Sequence, residues 1–246
     1  MDRALAVEYR DVTYAIGGRV ILDRFNLKIE PGETVVLLGR SGSGKTTALK
    51  AVNGLVMPTS GQVFVGGKPT TEWDLIRLRR SIGYVIQEAG LFPHYTVREN
   101  IALVPRLEGW EQWKIERRAM ELLTSVGLES ATFADRYPRQ LSGGQRQRVG
   151  VARALAAEPR LLLFDEPFGA VDPVTRLELQ RQFLTLRKQF GTTSLFVTHD
   201  VREALVVGSR IGLLQDGKLV ELARPEEFRK SRHPEARAFL ACLEEA

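Results

Sequence analysis

The spacing of hydrophobic and polar positions changes along the chain and predicts both strands and helices. Residues 5–16 alternate between apolar and polar side chains, which is typical of strands with one side in solvent. The runs 34–38, 161–164 and 194–198 are rich in apolar residues, as in strands that are buried inside a parallel sheet. Buried strands separated by helical segments indicate the α/β class.

Helical spacing dominates the middle of the chain, where the clearest predicted helices are 97–104 and 111–126. Another helix is predicted at 146–157, and one more from Pro173 to Phe190, where Gly191 ends it. No long heptad run occurs in this region. A separate helical lobe is therefore expected here.

Short apolar runs beside tight-turn residues predict two hairpins. Val63–Val65 are followed by Gly66-Gly67, and the runs 211–214 and 218–222 flank Asp216-Gly217. The tail that follows is expected to form short amphipathic helices.

Composition narrows the class of protein. The sequence has 246 residues, of which 43% are hydrophobic, and this suits one large α/β domain with subdomains. No run approaches the roughly 18 apolar residues of a membrane-spanning helix, and the charged start Met1–Ala4 does not resemble a signal peptide. Cys242 is the only cysteine, which excludes a disulfide framework. We expect a soluble cytosolic protein.

The net charge of +5 raises the question of a partner that is nucleic acid or an anionic membrane surface. Lys and Arg residues are interspersed with acidic residues, as in Glu116-Arg117-Arg118. This pattern favours a solvated surface over a nucleic-acid groove.

A glycine-rich stretch after the first buried run carries the strongest chemical signal. It matches the pattern G-x-x-x-x-G-K-[ST] and lies between an apolar strand and a predicted helix at 46–52. Its glycines allow a sharp turn that brings backbone N–H groups to a polyphosphate, and the helix adds the positive end of its dipole. Lys45 is placed to reach the terminal phosphates of ATP, and the Thr46 hydroxyl to bind Mg²⁺. The residues of this predicted site are Gly39, Arg40, Ser41, Gly42, Ser43, Gly44, Lys45, Thr46 and Thr47.

Two adjacent carboxylates follow the buried run 161–164. Ligands bind at the carboxyl ends of strands in α/β folds, so Asp165 is a candidate Mg²⁺ ligand and Glu166 a candidate general base that polarises water. The alternative is an acidic strand end without a chemical role.

Three single residues each have a functional and a structural interpretation. Tyr14 could stack on a nucleotide base or pack in the core. Gln87, at the end of the predicted strand 82–87, could orient water or bind the metal ion, or it could cap the strand. His199, at the end of the run 194–198, could contact a terminal phosphate or be structural.

Leu141 is followed by a second glycine-rich helix start, Ser142-Gly143-Gly144-Gln145. Ser142 is a natural N-cap, and the glycines expose backbone N–H groups that could bind an anion. An ordinary capped helix is the simpler interpretation. Asp172, before Pro173, is likewise a natural N-cap.

Taken in order, these motifs resemble the ATP-binding subunits of ABC transporters over about residues 5–222. The resemblance implies a P-loop NTPase (RecA-like) core with a parallel sheet, an N-terminal antiparallel β subdomain and an inserted α-helical subdomain. The whole chain, 1–246, is expected to be one ATP-binding domain, with the helical subdomain at about 88–160 and a short helical tail at 223–246.

The same resemblance assigns roles to the ambiguous positions. Gln87 falls on the Q-loop glutamine, which the family places beside the metal ion. The assigned positions are the signature residues Ser142, Gly143, Gly144 and Gln145, the catalytic glutamate Glu166, the D-loop aspartate Asp172, the H-loop histidine His199 and the base-stacking Tyr14.

Longer stretches look like the ATPases of osmoprotectant (quaternary-amine) importers. They are 79–87, 90–94, 99–105 and 165–176. Many of those ATPases continue into regulatory CBS domains. The sequence ends at Ala246, so we expect no CBS domains and no ionic-strength sensing of that kind.

The resemblance also implies partners. Two copies are expected to stack head to tail around ATP, and residues 91–94 to dock on transmembrane permease subunits at the cytoplasmic side of the membrane. A substrate-binding protein would act indirectly. Import of glycine betaine, choline or proline betaine is expected. The alternatives are an importer of another solute, such as an amino acid, an exporter ATPase, or an ABC ATPase that acts on nucleic acid. The last of these usually carries long coiled coils or a second ATPase domain.

Overall fold

The computed structural model describes residues 4–87, 89–169 and 171–244, without the side chains of 187–189 and 244. Several expectations touch residues outside this range: the start Met1–Arg3, the beginning of the helical subdomain at Glu88, Ala170 in the last osmoprotectant-like stretch, and the final two residues of the tail. In the part of the chain that is described, no helix is both long and apolar enough to cross a membrane.

The described residues form strands and helices that alternate along much of the chain. The strands are β1 (Val7–Ile16), β2 (Arg19–Ile29), β3 (Thr34–Leu38), β4 (Ser60–Val65), β5 (Lys68–Pro69), β6 (Ile82–Val85), β7 (Leu161–Asp165), β8 (Thr193–Thr198), β9 (Arg210–Gln215) and β10 (Lys218–Ala223). The helices are α1 (Lys45–Val52), α2 (Leu75–Ser81), α3 (Val97–Leu107), α4 (Gln112–Ser125), α5 (Ser130–Phe133), α6 (Gly143–Leu155), α7 (Pro173–Phe190), α8 (Val201–Val207), α9 (Pro225–Phe228) and α10 (Pro234–Glu244).

The chain divides into two compact units. The first contains the residues up to Arg79 and those from Gly191 onward. One of its sheets is antiparallel, in the order β2-β1-β4-β5, and in the other β3 lies between β8 and β9, with which it runs parallel. Every residue of β3 and β8 is buried, which explains the apolar runs seen in the sequence.

The antiparallel sheet of the first unit is tied to α1 by a buried tyrosine. The hydroxyl of Tyr9 donates a hydrogen bond to the carbonyl oxygen of Ala48 at 2.9 Å, and its ring packs edge to face on Phe25. Burial raises the pKa of Tyr9 well above its ordinary value, so this hydroxyl keeps its proton.

Both predicted hairpins are confirmed within the first unit. Strands β4 and β5 pair across Gly66-Gly67, and β9 and β10 pair across Asp216-Gly217. Asp216 and Gly217 have φ values of 48° and 77°, as a two-residue hairpin turn with a left-handed backbone requires.

The second unit spans Arg80–Phe190. Its strands β6 and β7 are parallel, and α3, α4 and α6 pack on one another. Helix α6 also lies close against β6, because a Cβ on Gly83 would come within 2.4 Å of the carbonyl oxygen of Ala154. This contact requires glycine at position 83.

Several predicted boundaries in the second unit were wrong by two or three residues, among them the end of α6, which lies at Leu155 and not at 157. Strand β6 ends at Val85 and not at Gln87, because its pairing with β7 stops there and a tight turn follows. Helix α6 begins at Gly143 and not at Arg146, since Ser142 caps it directly. Helix α3 continues beyond the predicted end, through Pro105.

Candidate functional site

The glycine-rich loop leaves the carboxyl end of β3 and enters α1 directly, as its sequence predicts. Gly44 precedes the helix with a φ of 103°, and a Cβ at this position would lie 2.7 Å from the carbonyl oxygen of Ile21. A Cβ on Gly39 would lie 2.3 Å from the carbonyl oxygen of Leu214. Both positions therefore need glycine, which lets the loop fold tightly against neighbouring strands.

Lys45 is buried at the start of α1 and points back into the loop. Its Nζ donates hydrogen bonds to the carbonyl oxygens of Gly39 and Arg40 at 2.8 and 2.9 Å. The hydroxyl of Ser43 is also buried, and no hydrogen-bond partner is found for it. A cationic side chain, a helix N-terminus and a buried hydroxyl in one loop suit an anion with several oxygens. The residues present therefore fit a polyphosphate.

His199 lies at the same edge of the same sheet as the loop. Leu38 and Thr198 are paired in register, so Gly39 and His199 follow the ends of adjacent parallel strands. The structure thus brings His199 to the loop's end of the sheet, where its side chain is exposed.

The backbone on both sides of His199 is held by one buried hydroxyl. Thr198 Oγ1 donates to the carboxylate of Glu203 at 2.5 Å and accepts the N–H of Asp200 at 3.0 Å. Glu203 is buried on α8, and Asp200 caps that helix. Glu203 is a supporting residue that the sequence analysis did not identify.

Tyr14 lies in the first unit, on β1, paired in register with Leu22 of β2. Its side chain is half-buried. This partial exposure leaves both interpretations of Tyr14 open.

In the second unit, the two carboxylates stand at the end of β7. Asp165 is half-buried and accepts a hydrogen bond from the hydroxyl of Tyr84 on β6 at 3.2 Å. Burial, followed by the negative charge of Asp165, raises the pKa of Tyr84, so the tyrosine remains a donor. Tyr84 orients Asp165. This role follows from the pairing of β6 with β7, and the local sequence around either residue does not predict it.

Glu166 has a left-handed backbone, with a φ of 47°, although it is not a glycine. Such a conformation is disfavoured for a residue with a Cβ, and it is often found at functional positions. A point built as the Cβ of Gly169 would lie 3.5 Å from Gln87 Nε2 and 3.9 Å from Glu166 Oε2. The structure therefore brings Gln87 close to Glu166.

Two side chains of α6 hold the loop that contains Gln87 through hydrogen bonds. Arg153 donates hydrogen bonds to the carbonyl oxygens of Ala89 and Gly90 at 2.6 and 2.7 Å, and buried Gln147 donates to Ile86 at 3.4 Å. Burial lowers the pKa of Arg153.

A cleft of about 300 Å³ opens between this loop and the start of α6. Gln87, Gly143 and Arg146 all lie along it, and Arg146 donates to the carbonyl oxygen of Leu141 at 2.7 Å. Gln87 and Gly143 of the signature thus share one cleft within the second unit.

Ser142 caps α6 through a reciprocal pair of hydrogen bonds with Gln145. Its hydroxyl accepts the N–H of Gln145 at 3.2 Å, and its own N–H donates to the Gln145 side chain at 2.9 Å. This is a capping box. The cap uses the oxygen of the hydroxyl and not its hydrogen, so Ser142 can still donate to an anion.

The signature and Asp172 meet at a residue that the sequence did not mark, Thr175. A Cβ on Gly144 would lie 2.4 Å from Cγ2 of Thr175 on α7. The N–H of Thr175 donates to the carboxylate of Asp172 at 3.0 Å, and hydrogen bonds from Thr175 lower the pKa of that carboxyl group. No local pattern predicts a contact between residues 31 positions apart.

The loop after Gln87 presents aromatic side chains. Phe92 is 40% exposed and lies 5.6 Å from Tyr95 and 6.0 Å from His94, measured between ring centroids. Buried Asn100 organises this loop: its amide donates to the carbonyl oxygens of Phe92, Tyr95 and Thr96 and accepts the N–H of Phe92 at 2.8 Å.

Comparisons with known proteins agree with these observations. A family model described as ABC transporter matches residues 22–169. The osmoprotectant import ATP-binding protein OsmV of Salmonella typhimurium is 50% identical over 207 residues, which is 84% of this chain and 54% of that protein. The carnitine transport ATP-binding protein OpuCA of Listeria monocytogenes is 50% identical over 224 residues, which is 91% of this chain and 56% of that protein. The chain spans about half the length of these curated relatives.

Among solved structures, the ATP-binding cassette MJ0796 has a similar fold. That protein is described as a dimer in a post-hydrolysis state, bound to ADP and Pi. It aligns with a TM-score of 0.80 at 36% identity and covers 89% of this chain and 98% of its own.

Proposed function

Because the chain belongs to the ABC transporter family, we propose that it is the ATP-binding and ATP-hydrolysing subunit of an osmoprotectant importer. The ATPase assignment depends on the glycine-rich loop at 39–47, called the phosphate loop from here on. Lys45, the start of α1 and the buried Ser43 hydroxyl converge in it. The 50% identity to proteins named for osmoprotectant and carnitine transport supports the solute class of quaternary amines.

The phosphate loop binds ATP through charge and backbone N–H groups. Lys45 exchanges the carbonyl oxygens of Gly39 and Arg40 for phosphate oxygens, and the helix dipole of α1 adds to this attraction. Tyr14 stacks on the base.

Three residues would hold Mg²⁺ with the nucleotide: Thr46, Gln87 and Asp165. Asp165 suits this role because Tyr84 fixes the orientation of its carboxylate. When bound, Mg²⁺ neutralises charge on the phosphate oxygens.

Hydrolysis depends on Glu166 as a general base that accepts a proton from the attacking water. The left-handed backbone of Glu166 fixes the position of its side chain near Gln87. Gln87 helps to orient the attacking water. His199 donates a hydrogen bond to the terminal phosphate, and its backbone position is fixed by Thr198.

A second copy of the chain completes each nucleotide site. The N-terminus of α6, with Ser142–Gln145, offers an anion site that a γ-phosphate bound to the other copy can fill. Asp172 caps α7 by accepting the N–H of Thr175, the residue that Gly144 approaches. Asp172 therefore belongs to the surface of the second copy that faces the nucleotide. ATP thus favours the closed pair of chains, because it binds that state better than the open one.

The aromatic loop 91–94 docks on permease subunits at the cytoplasmic face of the membrane. Phe92 is exposed there, and Asn100 holds the loop in a fixed shape before the partner arrives. The permease carries the solute that a substrate-binding protein delivers, and nucleic acid takes no part.

The solute is tested by uptake of labelled glycine betaine in salt-stressed cells without another betaine system. We expect a deletion strain to lose uptake and the intact gene to restore it. A gene that carries Glu166→Gln should not restore uptake. Uptake that is unchanged in the deletion strain would contradict the osmoprotectant assignment, and amino acids would then be tested.

Docking is tested by Phe92→Glu, which places a charge on the aromatic loop. Uptake should fall at least about tenfold, a loss typical of a central interface residue, while ATP hydrolysis by the isolated chain stays unchanged. Trp113→Glu is the matched control, since Trp113 is an exposed aromatic on α4, outside the loop. Equal uptake in the two variants would rule out this docking surface.

A further inference from the structure

One ion pair connects the phosphate loop to the C-terminal helix α10. Arg40 Nε donates to Glu235 Oε1 at 2.6 Å, and Arg40 Nη2 donates to Glu235 Oε2 at 3.2 Å. Two parallel hydrogen bonds fix the relative orientation of the two groups. The Arg40 side chain is 72% exposed, whereas that of Glu235 is 13% exposed. The phosphate-loop pattern leaves position 40 open, so the motif itself gives the Arg40 side chain no role.

Glu235 is held rigidly because the first turn of α10 is anchored to a strand. The N–H of Glu235 donates to His233 Nδ1 at 3.3 Å, and the N–H of His233 donates to Ser231 Oγ at 3.1 Å. Ser231 Oγ in turn donates to the carboxylate of Glu221 on β10 at 2.5 Å. Because β10 pairs with β9, and β9 pairs with β3, this chain of contacts ends at the strand that precedes the phosphate loop.

In the first turn of the loop, the N–H of Ser43 donates to the carbonyl oxygen of Arg40 at 3.2 Å, and the N–H of Gly217 donates to the carbonyl oxygen of Ser43 at 3.1 Å. From inside, Lys45 Nζ holds the carbonyl oxygen of Arg40, but a polyphosphate competes for the same ammonium group. On the outer side, a Cβ on Gly42 would meet nothing within 4 Å, and a cleft of about 380 Å³ borders Ser41 and Gly42. The contact between Arg40 and Glu235 does not involve Lys45, so it persists when the ammonium turns to phosphate.

We propose that Arg40 and Glu235 form a clasp by which α10 positions the phosphate loop for nucleotide. Glu235 is a positioning residue that acts through Arg40 and does not touch the nucleotide. The proposal rests on the proposed function, since the loop must bind a nucleotide for its position to matter.

Glu235→Gln should change the affinity for nucleotide in opposite directions through its loss of negative charge and through its loss of the clasp. Removing a carboxylate beside a polyphosphate site would tighten nucleotide binding by electrostatics alone. Loss of the clasp would weaken it, by about threefold to tenfold for a partly buried ion pair. We expect the Kd for MgADP, measured by calorimetry on the full chain, to rise by that factor. The KM for ATP should rise similarly while kcat stays within about twofold, because Glu166 and His199 are untouched.

A charge swap isolates the geometry of the clasp. Arg40→Glu places two carboxylates beside the loop and should raise the Kd for MgADP at least about tenfold. Adding Glu235→Arg should bring the Kd back to within about threefold of the unmodified chain, since the pair is restored in reverse. Glu226→Arg is the matched control, because Glu226 is exposed on α9, outside the clasp, and adds the same net charge. Thermal unfolding of each variant reports whether it is folded.

Each outcome decides one claim. Recovery by Glu235→Arg but not by Glu226→Arg, with weaker binding in Glu235→Gln, supports the clasp. Unchanged or tighter binding in Glu235→Gln, or equal recovery by the two arginine substitutions, would overturn the clasp and leave the proposed function standing. Failure of the unmodified chain to bind MgADP would overturn the proposed function and the clasp with it.

Discussion

The phosphate loop and the signature region are supported in different ways, although each is a glycine-rich helix start. In the loop, Lys45 bonds to carbonyl groups five and six residues before it, and Gly39 and Gly44 meet the backbone of adjacent strands. In the signature region, the cap between Ser142 and Gln145 is local, but Gly144 depends on the distant Thr175. Both regions therefore combine local hydrogen bonds with contacts to distant residues, but the loop glycines meet backbone oxygens, whereas Gly144 meets a side chain.

The largest effect is expected in the loop itself. Lys45→Ala removes the ammonium group and should raise the Kd for MgATP by about a hundredfold or more, because a charge-assisted contact to phosphate is lost. Calorimetric titration measures the Kd, with Lys50→Ala as the control, since Lys50 lies in the last turn of α1. Equal affinities of the two variants would refute the role given to Lys45.

A large loss of stability is expected at Asn100, in the second unit. Asn100→Ala removes four hydrogen bonds from a buried site and leaves backbone groups unpaired, so the free energy of unfolding should fall by about 2–3 kcal/mol. Chemical denaturation measures this change. Gln112→Ala, which removes an exposed hydrogen bond on α4, should change stability by less than about 0.5 kcal/mol. A similarly small effect at Asn100 would show that the loop 91–96 does not need this residue.

A smaller effect is expected where α6 meets α7. Gly144→Ala introduces a Cβ that overlaps Cγ2 of Thr175, which should cost about 1–3 kcal/mol of stability and lower ATP hydrolysis. Thr175→Ser removes that methyl group and keeps the hydroxyl. The double variant should therefore regain most of the lost stability in denaturation experiments. No recovery would show that the contact between Gly144 and Thr175 is not what limits position 144.

The smallest effect concerns a pair in the first unit, away from the loop. Burial alone would raise the pKa of Glu33, but hydrogen bonds from Arg210 and from the Glu30 N–H lower it below its ordinary value of 4.5. A lowered folded-state pKa stabilises the protein above the unfolded pKa, and this contribution is lost as pH falls through the folded pKa. Glu33→Gln should lower stability by about 1 kcal/mol at neutral pH and by less near pH 3.5. Denaturation at both pH values tests this; a larger loss at the lower pH would contradict it.

The sequence predicted those features that depend on nearby residues. The hairpin at Asp216-Gly217 and the caps at Ser142 and Asp172 follow from turn and capping preferences that act over two to four residues. Apolar runs predicted β3 and β7 because burial on both faces leaves few polar positions. The end of β6 was wrong because it depends on where its pairing with β7 stops.

The residues that support the site could not be predicted in this way. Tyr84 donates to Asp165 from a neighbouring strand. Arg153 donates to the loop after Gln87 from 64 residues away, and Glu235 accepts hydrogen bonds from Arg40, 195 residues away. Contacts of this length are set by the packing of whole elements, which a single sequence does not encode as a local pattern. The roles assigned to the site residues through family resemblance remain predictions.

The central claim is that ATP joins two copies, with the phosphate loop of each facing the signature of the other. The most direct test is the molar mass of Glu166→Gln by light scattering, with and without MgATP, since we expect this variant to bind ATP but not to hydrolyse it. We predict a shift from 27.6 kDa, the mass of one chain, to twice that value in MgATP, and no shift when Lys45→Ala is added. A Glu166→Gln chain that stays at 27.6 kDa in saturating MgATP would contradict the account.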